Sequence, residues 1–156
     1  MGEVLPCEYC LKYVKVKPNV ESKIVILARR FGKASPENII GVIAFDVDGV
    51  LDGYGGPITR NIIDTYRKNW FVGIISARGD HAEIKEKFSL DFSYRWNGNA
   101  LKEAMNRFPD LERYVYVSDN LDRKSVAESL GWEFFHPARF KALWEFECRF
   151  LIPIIA

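Results

Sequence analysis

The chain has 156 residues, of which 48% are hydrophobic, 28% charged and 14% aromatic. That is the composition of one ordinary globular domain, able to withdraw about two-thirds of its unfolded surface from water, and it excludes the disordered, collagen-like and disulfide-dense classes. Lys and Arg number 22 against 21 Asp and Glu, so the net charge of +1 gives no long-range pull toward nucleic acid or an anionic membrane.

Three cysteines, an odd number, with no basic-then-apolar leader at the start, predict a reducing, cytoplasmic setting without disulfides. The longest apolar runs, Ile39–Phe45 and Phe71–Ile75, fall far short of the roughly twenty residues a membrane helix needs, so the chain reads as soluble with no membrane partner.

Residues 1–38 read as an N-terminal extension packed on the main domain, with a strand over Leu11–Lys17 and a helix carrying Ile24, Leu27 and Phe31. Arg29, Arg30 and Lys33 read as a solvated basic face. Cys7 and Cys10 have the spacing of half a zinc site. With only Cys148, His81 and His136 to complete it, they read as ordinary cysteines.

From residue 39 to 156, short apolar runs alternate with segments of three- and four-residue apolar spacing. That alternation predicts a mainly parallel sheet covered by helices on both faces, an α/β three-layer sandwich. Gly41–Phe45 is the first strand. Ile58, Ile62, Ile63 and Tyr66 predict a helix, and Phe71–Ile75 a second buried strand. Asp80 followed by Glu83 predicts a capped helix that buries Ile84 and Phe88, before a shorter strand over Asp91–Trp96. Leu101, Met105 and Phe108 mark a helix ahead of Pro109, and Tyr114–Val117 a further buried strand. Val126, Ala127 and Leu130 mark a helix stopped by Gly131, ahead of a last strand over Trp132–Phe135. Pro137 suits the first turn of a closing helix with Phe140, Leu143, Trp144 and Cys148. The apolar terminus from Phe150 to Ala156 is expected to be packed, against its own core or a second subunit.

The informative segment is Val42–Leu51, where a buried strand delivers Asp46 and Asp48 to its carboxyl end. Alternation predicts both carboxylates on one side. Two adjacent carboxylates repel, which raises one pKa or calls for a cation, and Mg²⁺ suits a few oxygen ligands plus a phosphate. Gly49 allows the backbone to turn over a small anion. A strand cap or Asx turn is the competing reading of the same residues.

The run Asp46-Val47-Asp48-Gly49-Val50-Leu51 after an apolar strand resembles the first motif of the haloacid dehalogenase (HAD) superfamily of phosphohydrolases. Ser76 in GIISARGD and Asp119 in YVYVSDN resemble its second and fourth, and Lys102 is the best match to its basic residue. The resemblance covers roughly residues 41–135 and implies a HAD-like Rossmannoid catalytic domain over 39–156. There is no room for a cap domain, so the site is expected to be open.

By similarity the chain is expected to be a Mg²⁺-dependent phosphatase acting through an aspartyl-phosphate. Asp46 would be the nucleophile, Asp48 the general acid and base, Ser76 a donor to a phosphoryl oxygen and Lys102 the neutralising cation. Asp46, the backbone carbonyl of Asp48, and Asp119 would hold Mg²⁺. Gly49, Ala77, Arg78 and Asn120 are candidate substrate contacts. The family usually carries Gly before the fourth-motif acid and often a second acid four or five residues after it. This chain has Ser118, Arg123 and Lys124 at those places, and Asp122 reads as a helix cap.

An open site admits a macromolecular phosphate end, or a small metabolite enclosed by neighbours in a homo-oligomer. DVDGVLDG is similar to the uncapped, tetrameric phosphatases of sugar-acid phosphates. A catalytically weak or inactive metal- or phosphate-binding scaffold is the alternative. A phosphorelay receiver fits less well, because its acceptor Asp should end a middle strand where Ser76 stands.

Overall fold

Runs such as Gly41-Val-Ile-Ala-Phe45 carry almost no polar side chain, so they are stable only where both faces are covered, and the architecture follows from that demand. The computed structural model describes residues 22–150. Cys7, Cys10, the strand expected over Leu11–Lys17 and the apolar residues 151–156 lie outside the described residues, as does the side chain of Cys148.

Five strands, β1 (Gly41–Phe45), β2 (Trp70–Ser76), β3 (Phe92–Arg95), β4 (Arg113–Val117) and β5 (Glu133–Phe135), form one sheet in the order β3-β2-β1-β4-β5. Every neighbouring pair is parallel, with Ile43 in register with Val72 on one side and Val115 on the other. The helices are α1 (Lys23–Arg30), α2 (Arg60–Arg67), α3 (His81–Phe88), α4 (Ala100–Arg107), α5 (Lys124–Ser129) and α6 (Pro137–Phe150).

Period-two alternation sorts the strand residues between two cores. Ile43, Phe45, Val72, Ile74, Val115 and Val117 pack with Ile62 and Ile63 of α2, Ile84 and Phe88 of α3, and Phe140 of α6. On the other face Val42, Ala44, Phe71, Ile75, Tyr114 and Tyr116 pack with Ala28 of α1, Leu101 and Ala104 of α4, and Ala127 of α5. The result is an α/β three-layer arrangement of Rossmann-like form. The direction of winding reverses between β1 and β4, because β1 leaves toward β2 through α2 while β4 leaves toward β5 through α5 on the opposite face. A crevice opens at the carboxyl ends of strands at such a reversal.

The chain between the strands is used up by these elements. Residues 46–69 make a turn-rich loop and α2, and residues 77–112 make α3, β3 and α4. The loop is tied to itself: Ile58 N–H donates to Val50 O, Tyr54 N–H to Leu51 O, and Val47, Val50, Leu51 and Ile58 are buried.

Local signals account for some helix ends. Thr59 Oγ1 accepts from Ile62 N–H at the start of α2, and Gly131 leaves α5 at φ +92° while Trp132 N–H donates back to Ala127 O. Asp80 is a correction. It occupies the N-cap position of α3 but makes no capping bond, because both carboxylate oxygens accept from Arg78 instead. Lys33 is a second correction. Its side chain is 1% exposed and paired with Asp91, whose Oδ2 also accepts from Val72 N–H at 2.8 Å. Burial pushes the Lys33 ammonium below its ordinary pKa while Asp91 opposes the shift. This pair pins the segment after α1 to the amino end of the β2–β3 edge.

Candidate active site at the carboxyl ends of β1, β2 and β4

Asp46 follows β1 directly, and its N–H still donates to Val117 O of β4, so its carboxylate is delivered to the crevice between those two strands. The residue is only 8% exposed. Oδ1 accepts from Val47 N–H at 2.8 Å. Oδ2 accepts from Ser118 Oγ at 3.0 Å and from Arg123 Nη1 at 3.0 Å. Three donors fix this nearly buried carboxylate in one orientation.

Asp48 is not on the strand but in the turn after it, so alternation does not govern where it points. Its side chain is 69% exposed and its Oδ1 accepts from Arg78 Nη1 at 2.7 Å, on the β2 side. The expectation that both acids share one strand face is therefore corrected: Asp46 is engaged from β4 and Asp48 from the loop after β2. Arg78 is held by Asp80 through Nε and Nη2, both at 2.8 Å, and these two acids raise its pKa further; Arg78 in turn holds the Asp80 carboxyl below its ordinary range.

Ser76 ends β2 with its side chain buried, and its Oγ accepts from Arg78 N–H at 3.3 Å. Its hydroxyl hydrogen has no acceptor among the described residues, so it is placed to donate. The Ser76 carbonyl accepts from Trp96 N–H and from His81 Nε2, which ties the ends of β2 and β3 together. His136 Nδ1 accepts from Ala138 N–H, so both histidines serve local backbone contacts.

Gly49 sits at φ +77°, and a β-carbon there would lie 2.1 Å from Asp119 Oδ2. The Asp119 carboxylate thus rests against the turn after β1. Gly49 N–H donates to Tyr54 O, which leaves Gly49 no backbone donor for a substrate. Ala77 is exposed on the turn into α3. Asn120 Oδ1 accepts from Asp122 N–H and caps the short 3-10 turn over Leu121–Arg123, so Asn120 performs the capping expected of Asp122. Lys102 is exposed in the first turn of α4, with no ion pair or hydrogen bond among the described residues. The structure does not bring it to Asp46.

The residue that does meet Asp46 is Arg123, whose side chain is 12% exposed. Its Nη1 also donates to Tyr116 Oη at 2.8 Å, and its guanidinium lies 4.2 Å from the centre of the Trp96 ring. Trp96 stacks on Tyr116 with rings 5.8 Å apart and 11° from parallel. Tyr116 is fixed in turn by donating to Ile75 O at 3.0 Å, and burial first, then the Asp46 charge, raises its pKa well above the ordinary value. Sequence reading registered Arg123 and Ser118 only as departures from a pattern. The available signal was chemical: a cation four residues after an acid at a sheet edge has a carboxylate within reach.

The donor set can be compared with what Mg²⁺ requires. A carboxylate offers about four lone-pair directions. Three on Asp46 already accept, so one, on Oδ1, is left for either an electrophile or a metal ion. Asp48 Oδ1 accepts from Arg78, and among the described residues no group of three or more His, Cys, Asp or Glu side chains is placed to hold a metal. Arg123 already sets a positive charge against Asp46 Oδ2. As arranged, the residues do not fit a Mg²⁺ centre built on Asp46. Among the described residues no helix is long and apolar enough to cross a membrane. Comparison of the chain with models of known protein families, with curated proteins and with solved structures finds no match.

Proposed function

We propose that this chain is a phosphomonoester hydrolase of HAD-like type with an open site at the carboxyl edge of its sheet. The observation that carries the reading is the setting of Asp46: a nearly buried carboxylate, oriented by three donors, with one lone pair on Oδ1 left for attack.

The chemistry runs in two displacements. Asp46 Oδ1 attacks phosphorus and forms an acyl-phosphate bond as the bond to the ester oxygen breaks, and Asp48, entering the cycle protonated on the oxygen that Arg78 does not hold, gives that proton to the departing oxygen. Water then attacks the same phosphorus, Asp48 accepts its proton, and the acyl-phosphate bond breaks to return the Asp46 carboxylate and inorganic phosphate. Asp48 suits this exchange because it is exposed and holds Arg78 through one oxygen only. Ser76 donates to a phosphoryl oxygen. Orienting Asp46 through Ser118 and Arg123 lowers the cost of bringing a charged phosphate to an anion.

The test is a phosphatase assay over sugar phosphates, nucleotides, polynucleotide ends and phosphopeptides, with Asp46→Asn as the control. Loss of turnover by about a thousandfold or more is expected. Undiminished activity in that variant overturns the reading. One observation favours a second reading, a phosphate-binding protein without turnover: the guanidinium of Arg123 draws electron density from the carboxylate that must attack. Phosphate binding with no hydrolysis across the panel would select it.

A further inference from the structure

We propose that Arg123 is the resident cation of this site and that the site takes its phosphate through the guanidinium without a divalent metal. This rests on the reading above that the crevice accepts a phosphate group, and it names the agent that binds it.

Arg123 uses Nη1 for both of its hydrogen bonds, to Asp46 Oδ2 and Tyr116 Oη. Nε and Nη2, the edge that matches two oxygens of a phosphate, have no hydrogen-bond partner among the described residues. The group is nonetheless held on several sides: by the Asp46 carboxylate, by a tyrosine hydroxyl that is itself bonded to Ile75 O, and by the face of Trp96 at 4.2 Å. A guanidinium pinned in this way loses little further freedom when it receives an anion. It also sits beside Asp46, whose Oδ1 keeps a lone pair for attack, so a phosphate gripped by Nε and Nη2 binds in the same crevice.

The same contacts leave a metal only Oδ1 on Asp46. Oδ2 of Asp46 is saturated by Ser118 and Arg123, so an ion on Asp46 would have to take the Oδ1 lone pair that attack requires. Arg123 and a divalent cation therefore compete for one role, and Arg123 is covalently present.

Calorimetric titration of the full chain separates the outcomes, using inorganic phosphate in excess chelator, inorganic phosphate in excess Mg²⁺, and Mg²⁺ alone. Phosphate affinity is expected to agree within about twofold between the first two conditions, with no saturable binding in the third. Arg123→Gln is expected to weaken phosphate binding in chelator at least tenfold, and Arg123→Lys, which keeps the charge and fills most of the space, to weaken it less. Phosphate binding that requires Mg²⁺, or saturable Mg²⁺ binding abolished by Asp46→Asn, overturns this inference while leaving the hydrolase reading intact. Absence of phosphate binding in every condition overturns both.

Discussion

A β-carbon on Gly49 would fall 2.1 Å from Asp119 Oδ2, so the turn after β1 and the acid after β4 fit together only because residue 49 has no side chain. The backbone there is also at φ +77°, which an L side chain adopts at a cost. Gly49→Ala is expected to destabilise the fold by about 1–3 kcal/mol in urea unfolding and to weaken phosphate binding. Adding Asp119→Gly should recover the part due to the clash and not the part due to φ. Equal instability in the single and double variants would show that the contact does not matter.

The pair Lys33–Asp91 makes a separate prediction about stability, far from the site. Asp91→Ala strands a buried ammonium and removes the acceptor of Val72 N–H, and should cost about 3–5 kcal/mol. Lys33→Met with Asp91→Asn removes both charges and keeps an oxygen for Val72 N–H. That double variant should cost clearly less than Asp91→Ala alone, measured by the same unfolding curves.

Tyr116 sets an alkaline limit. Its folded-state pKa is raised, by burial first and the Asp46 carboxylate second, so the folded state keeps a proton that the unfolded state loses above about pH 10. The contribution is intact below that pH and is lost as pH rises from there through the raised folded value. Absorbance titration of the seven tyrosines should show a fraction that ionises only with unfolding, and Tyr116→Phe should reduce that fraction, leaving the part due to Tyr114, whose pKa burial also raises. A Tyr116→Phe protein with an unchanged titration curve would refute the assignment.

How legible this molecule was depended on the range of the interactions involved. Period-two and helical apolar spacing located all five strands within a residue or two, because burial on both faces leaves a continuous apolar run in the chain itself. The strand-end places of Asp46, Ser76 and Asp119 were legible from the apolar runs before them, and a parallel sheet necessarily brings its carboxyl ends to one edge. Lys102 was chosen on spacing along the chain, and spacing says nothing about which of several cations reaches a carboxylate. Asp80 was read as a cap from a local pattern, but Arg78, two residues away, offers its carboxylate a charged partner.

The amino-acid sequence by itself determined the α/β layering, the positions of the strand ends and the acidic character of the edge, since each is written in contacts between near neighbours or in the period of burial. Only the tertiary structure decided that Arg123 meets Asp46 across 77 positions of chain, that Ser118 rather than a glycine supplies a donor there, and that Lys33 lies buried against Asp91. The reason is physical. Ion pairing in a protein interior is set by desolvation and by which side chains the packed backbone leaves facing one another, and neither quantity exists until the sheet and its helices have closed.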